Sequence, residues 1–273
     1  MYDRKQRSAL VTGASRGIGR AIAALLASRG MNLTLTCARS QDELICFARS
    51  LEETYGVSAT PVPCDMSDPD AVRHLFDSIG HLDMLVNNAG ISVTGLLQDL
   101  SDGEWNRLVG SNLSSVFYAC RSAIPLFLAN DPADSCGGGT PAADSVLSFS
   151  DPGRLSGIGP VRGRILNISS VWGNVGASCE AAYSATKGGI NALTRALAKE
   201  LAPSAVPVNA IACGCVDTAM NDNLSAEEKE ALAQEIPAGR FASAAEIARS
   251  ALSLLSAPAY LTGQIVTVDG GWI

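Results

Sequence analysis

The sequence is short of histidine, short of positive charge and without a long apolar run, and each shortage closes off a class of function. Its two histidines, His74 and His81, flank one end of a predicted helix, and the thiols of Cys213-Gly-Cys215 are one residue apart where zinc knuckles use two to four. No metal site is expected. The 20 Lys and Arg face 27 Asp and Glu, a net charge of −7. Nucleic acid needs a basic footprint and a membrane surface a polybasic segment, so neither is an expected partner. Nothing approaches the roughly 18 consecutive apolar residues of a membrane span. The opening MYDRKQRSALVTGAS passes from charges through a brief apolar step into a glycine turn, too short for a signal-peptide core. The cysteines, eight in all, are scattered through predicted strands and helices with no framework spacing. A reducing, cytoplasmic setting is the expectation.

What is present is an alternation. With 273 residues, 47% of them apolar, the chain can bury a sizeable core as a single domain spanning 1–273. Short β-branched or aliphatic runs at 9–12, 33–37, 59–64, 84–88, 164–169, 206–211 and 264–269 alternate with helix-period segments at 17–29, 41–55, 69–79, 104–129, 181–201 and 244–256. The pattern predicts an α/β fold, a Rossmann-type doubly wound seven-stranded parallel sheet covered on both faces. Residues 130–163 break the rhythm: seven Gly, four Pro and five Ser among 34 residues make a Gly/Pro/Ser-rich insertion between a helix and the fifth strand. It is not an interdomain linker, because the alternation resumes after it.

The first strand runs into TGASRGIG, which supplies Gly13, Ser15, Arg16, Gly17, Ile18 and Gly19. After a parallel strand such a turn opens a helix whose free N–H groups and dipole favour phosphate, while glycines let the backbone come close. By itself the loop also fits a plain tight turn; its place after strand one favours a dinucleotide. The second strand ends Cys37-Ala38-Arg39, with no acid to accept from a ribose 2′-hydroxyl. Arg16 and Arg39 match a 2′-phosphate instead, so NADP(H) is the expected cofactor, although Arg39 also fits a plain solvated residue. Tyr183 and Lys187 sit one turn apart on the predicted 181–201 helix and share a face. Alone, this pair also fits a phenol closing a core beside a solvated lysine.

Five motifs in order, TGASRGIG, NNAG at 87–90, Asn112 in SNLSSVF, NISS at 167–170 and YSATK at 183–187, resemble the short-chain dehydrogenase/reductase family over all but the insertion. The resemblance implies that Tyr183 is the acid that protonates a carbonyl oxygen as hydride arrives. Lys187 would lower its pKa and hold the ribose hydroxyls. Ser170, rather than Ser169, would fix the substrate oxygen, and Asn112 would tie a water to Lys187. The same resemblance assigns Asp65 and Met66 to the adenine, Asn87, Ala89 and Gly90 to the adenosine ribose, with Asn87 partly a sheet residue, and Val216 and Thr218 to the carboxamide. Relatives have Pro-Gly after the sixth strand where this chain has Cys213-Gly214, so a looser ring pocket and an oxidisable thiol are expected.

Within the family the chain looks most like 3-oxoacyl-[acyl-carrier-protein] reductases, which use NADPH in fatty acid biosynthesis and assemble as homotetramers. Those relatives carry an arginine just before the sixth strand, where Ser204 stands here. Arg154, Arg162 and Arg164 are the expected substitutes for greeting an acidic carrier. The alternative is a reductase of free small ketones, sugars or hydroxysteroids. A catalytically silent nucleotide sensor would lack the tyrosine or the lysine, and both are present.

Overall fold

The computed structural model describes residues 7–132, 161–222 and 224–273. Its elements run β1 (Ser8–Val11), α1 (Gly17–Ala27), β2 (Asn32–Cys37), α2 (Gln41–Tyr55), β3 (Ala59–Pro63), α3 (Pro69–Asp77) and β4 (Met84–Asn87). There follow α4 (Asp102–Val109), α5 (Ser115–Ala129), β5 (Arg164–Ser170), α6 (Trp172–Val175), α7 (Ala181–Leu201) and β6 (Val208–Cys213). The chain continues with β7 (Val216–Asp217), α8 (Ala226–Glu235), β8 (Ala242–Ser243), α9 (Ala244–Leu255) and β9 (Ile265–Val268). Seven strands form one parallel sheet in the order β3-β2-β1-β4-β5-β6-β9, and β7 pairs with β8 apart from it. Strand order reverses between β1 and β4, and in open α/β sheets ligands bind beyond the carboxyl ends at that switch point.

The central strands β4, β5 and β6 are buried at every residue, which is why they read as near-continuous apolar runs rather than alternating ones. One core packs Ile22, Leu26, Phe47 and Ile247 of α1, α2 and α9 against Leu35, Val86 and Ile211. The other packs Leu75, Phe127 and Ile190 of α3, α5 and α7 against Leu10, Leu85 and Ile165. Among the described residues no helix is long and apolar enough to cross a membrane.

The expected 104–129 helix is divided. A π-helical turn, Gly110–Ser114, separates α4 from α5. At its centre Asn112 is fully buried, accepting from the Ile91 amide (2.8 Å) and donating to the Ile91 carbonyl (2.9 Å) and the Thr186 hydroxyl (3.1 Å). A side chain drawn inward so firmly accounts for the local widening, a frequent feature of functional helices. Helix α8 was not expected because it buries no residue, yet Ser225 and Glu228 form a capping box at its start that the sequence displays.

Residues 133–160, most of the insertion and with them Arg154, lie outside the described residues. Its two ends are stitched together at the N-terminal edge of the sheet. Asn130 donates to the Leu82 and Arg162 carbonyls, and the Arg162 guanidinium donates to the carbonyls of Leu128 and Asn130. Arg164 is 3% exposed, and burial, aided by Arg7, lowers its guanidinium to about 10. Arg162 is thus spent on the end of α5 and Arg164 is turned into the protein, so neither greets a carrier as the sequence led us to expect.

Candidate active site

The glycine turn is held by its neighbours rather than by its own side chains. The Thr12 hydroxyl accepts from the amides of Asn88 and Ala89, both at 3.0 Å. The Asn88 carboxamide donates to the Thr12 and Gly13 carbonyls at 2.9 and 3.0 Å. Gly13 and Gly17 take positive φ, 65° and 57°, which costs glycine nothing. Helix α1 then starts from Arg16 with no side-chain cap and no acid in its first turn. Uncapped donors at the positive end of a helix dipole, with Arg16 exposed beside them, fit a pyrophosphate. Ser15 is buried, its carbonyl taken by Arg20 at 3.2 Å, and Ile18 packs beneath the turn. Across from it, Thr218 meets the place a Gly17 Cβ would occupy, its Cγ2 at 3.4 Å, and Val216 is buried behind it.

At the end of β2 both Ala38 and Arg39 are exposed, leaving a cationic rim without a carboxylate. After β3, Asp65 is exposed and accepts from the Ser67 amide and hydroxyl, while Met66 is buried under α3. Asn87 takes the sheet role that was part of its expectation. Its amide donates to Asn167 at 2.9 Å and to the Cys120 sulfur at 3.3 Å, and Asn167 donates in turn to Thr194 at 2.8 Å. Buried polar groups demand partners, so Asn87 is engaged by β5 and α5, and it is Asn88 that faces the glycine turn. Ala89 lies against Gly13, where a Cβ would come within 2.9 Å of its Cα.

Four side chains converge past the ends of β4 and β5. The Ser170 hydroxyl accepts from the Trp172 amide at 3.2 Å and lies near the Tyr183 phenol, whose pKa it pulls down. Ser169, one residue earlier, faces the other way and donates to the Lys187 carbonyl at 3.3 Å. Lys187 is buried; its ammonium donates to the Ile168 carbonyl at 2.9 Å and lies 5.6 Å from the Tyr183 ring centroid. Gly90 leaves space between two of these groups: a Cβ there would sit 3.1 Å from Asn112 Oδ1 and 3.8 Å from Lys187 Nζ. Asn112 therefore borders that space but binds Ile91 and Thr186, not Lys187. Short helix α6 rests directly on α7, because Gly173 has no Cβ to strike the Lys187 backbone, which would be 2.7 Å away. Trp172 and Gly173 fall in the 171–179 segment that the sequence pointed to for shaping the substrate pocket, though neither was singled out, and Asn88, doubled within NNAG, was passed over for Asn87.

In the protein alone, burial dominates the electrostatics of Tyr183. Burial pushes the phenol above its ordinary value, with the Ser170 hydrogen bond opposing and Cys213 and Glu180 adding to the rise. Burial likewise lowers the Lys187 ammonium to about 8. In the protein alone, desolvation outweighs the opposing pull of Ser170, so the phenol stays protonated. Cys213 is opposite Ser170 in register, and burial pushes its thiol up to about 12 against the pull of Lys187. Because the thiolate is the reactive form, the thiol expected to oxidise is instead a protected one. The turn after it is firm: Gly214 donates to the Val268 carbonyl at 2.9 Å, and a Cβ there would lie 2.7 Å from Asp269 Cα.

A switch-point crevice with a glycine turn on one side and a Ser–Tyr–Lys cluster on the other describes a nucleotide-dependent oxidoreductase. Residues 7–134 match the family model described as short chain dehydrogenase, and residues 154–273 the one described as enoyl-(acyl carrier protein) reductase. The chain belongs to the short-chain dehydrogenase/reductase family and is an oxidoreductase. It is 37% identical to the uncharacterized oxidoreductase YmfI of Bacillus subtilis, over 97% of this chain and 98% of that one. It is 36% identical to the 3-oxoacyl-[acyl-carrier-protein] reductase FabG of Staphylococcus aureus, over 97% of each. Among solved structures, an actinorhodin polyketide ketoreductase variant with NADPH superposes with a TM-score of 0.81 at 30% identity, covering 100% of this chain and 99% of that one.

Proposed function

We propose that the protein uses NADPH to reduce a ketone to a secondary alcohol, and that the ketone is a 3-oxoacyl thioester. The observation that carries the reading is the convergence of the Tyr183 phenol, the Ser170 hydroxyl and the buried Lys187 ammonium, which lies 5.6 Å from the Tyr183 ring centroid. The cofactor, when bound, supplies the hydride. Gly13, Ser15, Gly17, Ile18 and Gly19 form the pyrophosphate cradle, and Arg16 and Arg39 hold the 2′-phosphate. Asp65 and Met66 border the adenine, Ala89 and Gly90 the ribose next to it, and Val216 and Thr218 the carboxamide. Lys187 holds the other ribose. Ser170 and Tyr183 grip the carbonyl oxygen from two sides, and Tyr183 gives its proton to that oxygen as charge develops there. Asn112 and Lys187 bound the space over Gly90 through which Tyr183 is reprotonated.

A long apolar acyl group suits the mouth of the crevice. Leu96, Leu97, Val175 and Met220 are exposed around it, and the segment bearing Leu96 is joined to the loop before α7 where the Gly95 amide donates to the Cys179 carbonyl at 2.8 Å. Because Arg162 is engaged by the end of α5 and Arg164 is enclosed, the thioester and its chain, more than a carrier protein, are what this surface recognises. That same observation favours a free ketone as the second reading. NADPH oxidation followed against acetoacetyl and longer 3-oxoacyl thioesters, beside a panel of free ketones, sugars and steroids, decides between them: a higher kcat/KM for every free ketone would remove the thioester. We also propose a cytoplasmic homotetramer, built through the half-exposed Phe117 and Leu128 of α5 and the small residues Gly188, Ala192 and Ala196 of α7. A monomer by light scattering would contradict it.

Replacing Ala38 with Asp is expected to reverse cofactor preference from NADPH to NADH, since an acid there accepts from a 2′-hydroxyl and repels a 2′-phosphate. Steady-state kcat/KM for both cofactors reads it, and a wild type that prefers NADH would contradict the assignment of Arg16 and Arg39. The pH profile follows from the two buried groups. Tyr183 keeps its proton through neutrality, whereas Lys187 loses its charge as pH rises through about 8. Ketone reduction is therefore expected to stay level below that pH and to fall above it, the deprotonated lysine no longer holding the ribose. A Lys187→Met variant, weak throughout, should lack that inflection.

A further inference from the structure

We propose that Trp272 is a positioning residue that sets which ketones are accepted, by holding Trp172 in place as a wall of the ketone pocket; the inference rests on the ketone-reductase reading. Trp172 follows Ser170 by two residues, and its amide donates to the Ser170 hydroxyl at 3.2 Å. That bond takes a lone pair of the hydroxyl and leaves its hydrogen to point toward Tyr183 and the substrate oxygen. The Trp172 ring packs on the cluster formed by Leu108, Ala182 and Tyr183, together with Ile91 and Val93. It therefore lies directly against the element that carries Tyr183.

Its other side is met by Trp272, edge to face, with ring centroids 4.9 Å apart and planes at 62°, the arrangement that aromatic quadrupoles favour. Trp272 comes from a segment past β9 that shares no element with the catalytic cluster, and that segment is built to hold it. The Asp269 carboxylate accepts from the Gly271 amide at 3.0 Å and the Ile273 amide at 2.9 Å. The Gly270 carbonyl accepts from Ala238 at 3.1 Å, and a Cβ on Gly270 would press within 2.9 Å of Ala238 and Ile236. A second tie runs from Asn174 to Thr267 at 3.4 Å, and Asn174 also accepts from Asn191 of α7 at 2.9 Å. Helix α6 is thus clamped between α7 and the β9 segment, and Trp272 bears on the one aromatic side chain that α6 carries.

The test is a double-mutant cycle of Trp172→Ala and Trp272→Ala, read as KM and kcat for the ketone and KM for NADPH. Each single variant should raise the ketone KM by about fivefold to tenfold with kcat changed less than about threefold, the pattern of lost substrate binding. NADPH KM should not move. The double variant should be no worse than Trp172→Ala alone, and Trp272→Phe should recover most of the loss. Additive effects in the double variant would show that Trp272 does not act through Trp172 and would overturn the proposal, as would a parallel fall in NADPH binding and kcat. If an alanine variant does not fold, Trp272→Leu keeps the bulk, removes the aromatic edge and is read in the same way. The cycle is run on acetoacetyl thioester and on a small free ketone. Failure of the thioester as substrate then removes the thioester reading, while the cycle on the free ketone still decides the role of Trp272.

Discussion

Tyr183→Phe is expected to lower ketone turnover by about 10² to 10⁴, the usual worth of a general acid, while NADPH binds as tightly as before. The ring stays where it packs, 7% exposed, against Leu108 and Ala182; only the proton donor is removed. The surviving Ser170 hydroxyl still receives the Trp172 amide and still grips the substrate oxygen, so the ketone KM should rise far less than kcat falls. Fluorescence titration with NADPH and single-turnover kinetics separate these effects. A Phe variant that keeps half of its turnover would mean that the proton comes from elsewhere, and one that loses NADPH would mean that the phenol supports the cofactor instead. Because burial, not a charged neighbour, sets the state of this phenol, Lys187→Met is expected to weaken the cofactor more than it changes the protonation of Tyr183.

Much of this architecture could be read from the chain because the physics involved is local. The run Ala181–Leu201 has helical spacing from end to end, and it emerged with the boundaries its pattern suggested. The central strands were legible because burial at every position leaves mostly apolar residues to fill them. What escaped was set by tertiary contact. Nothing in SNLSSVF announces a π turn, since the cause is the distant Ile91 and Thr186 that draw Asn112 inward. Asn87 and Asn88 are identical in sequence, yet strand pleat sends one into the sheet and the other to the glycine turn. The upward shift of Tyr183 in the protein alone was not legible for a related reason: proximity along a helix shows which charges are near, but desolvation depends on everything packed around them. Arg162 and Arg164 looked available in a Gly/Pro-rich stretch, and only the fold shows one capping α5 and the other enclosed.

Gly19→Ala is expected to abolish cofactor binding in practice, raising the NADPH dissociation constant more than about a hundredfold while the fold persists with a lower melting temperature. The reason is space. Gly19 lies in the first turn of α1, and a Cβ there would sit 2.4 Å from both the Gly13 carbonyl oxygen and the Asn88 amide nitrogen. The first of these is backbone and cannot rotate away. The second is the group that donates to the Thr12 and Gly13 carbonyls, so moving it costs both hydrogen bonds. The helix must retreat from the turn, and the uncapped N–H groups of its first turn retreat with it, away from the phosphates they face. Overpacking of this kind costs about 1 to 3 kcal/mol in stability, enough to be seen in a melting curve without unfolding the chain. Gly80→Ala provides the comparison, since no atom lies within 4 Å of its Cβ position and its binding should match the wild type. Equal NADPH affinity in both variants would show that the close contact of Gly19 with Gly13 is not what shapes the cradle.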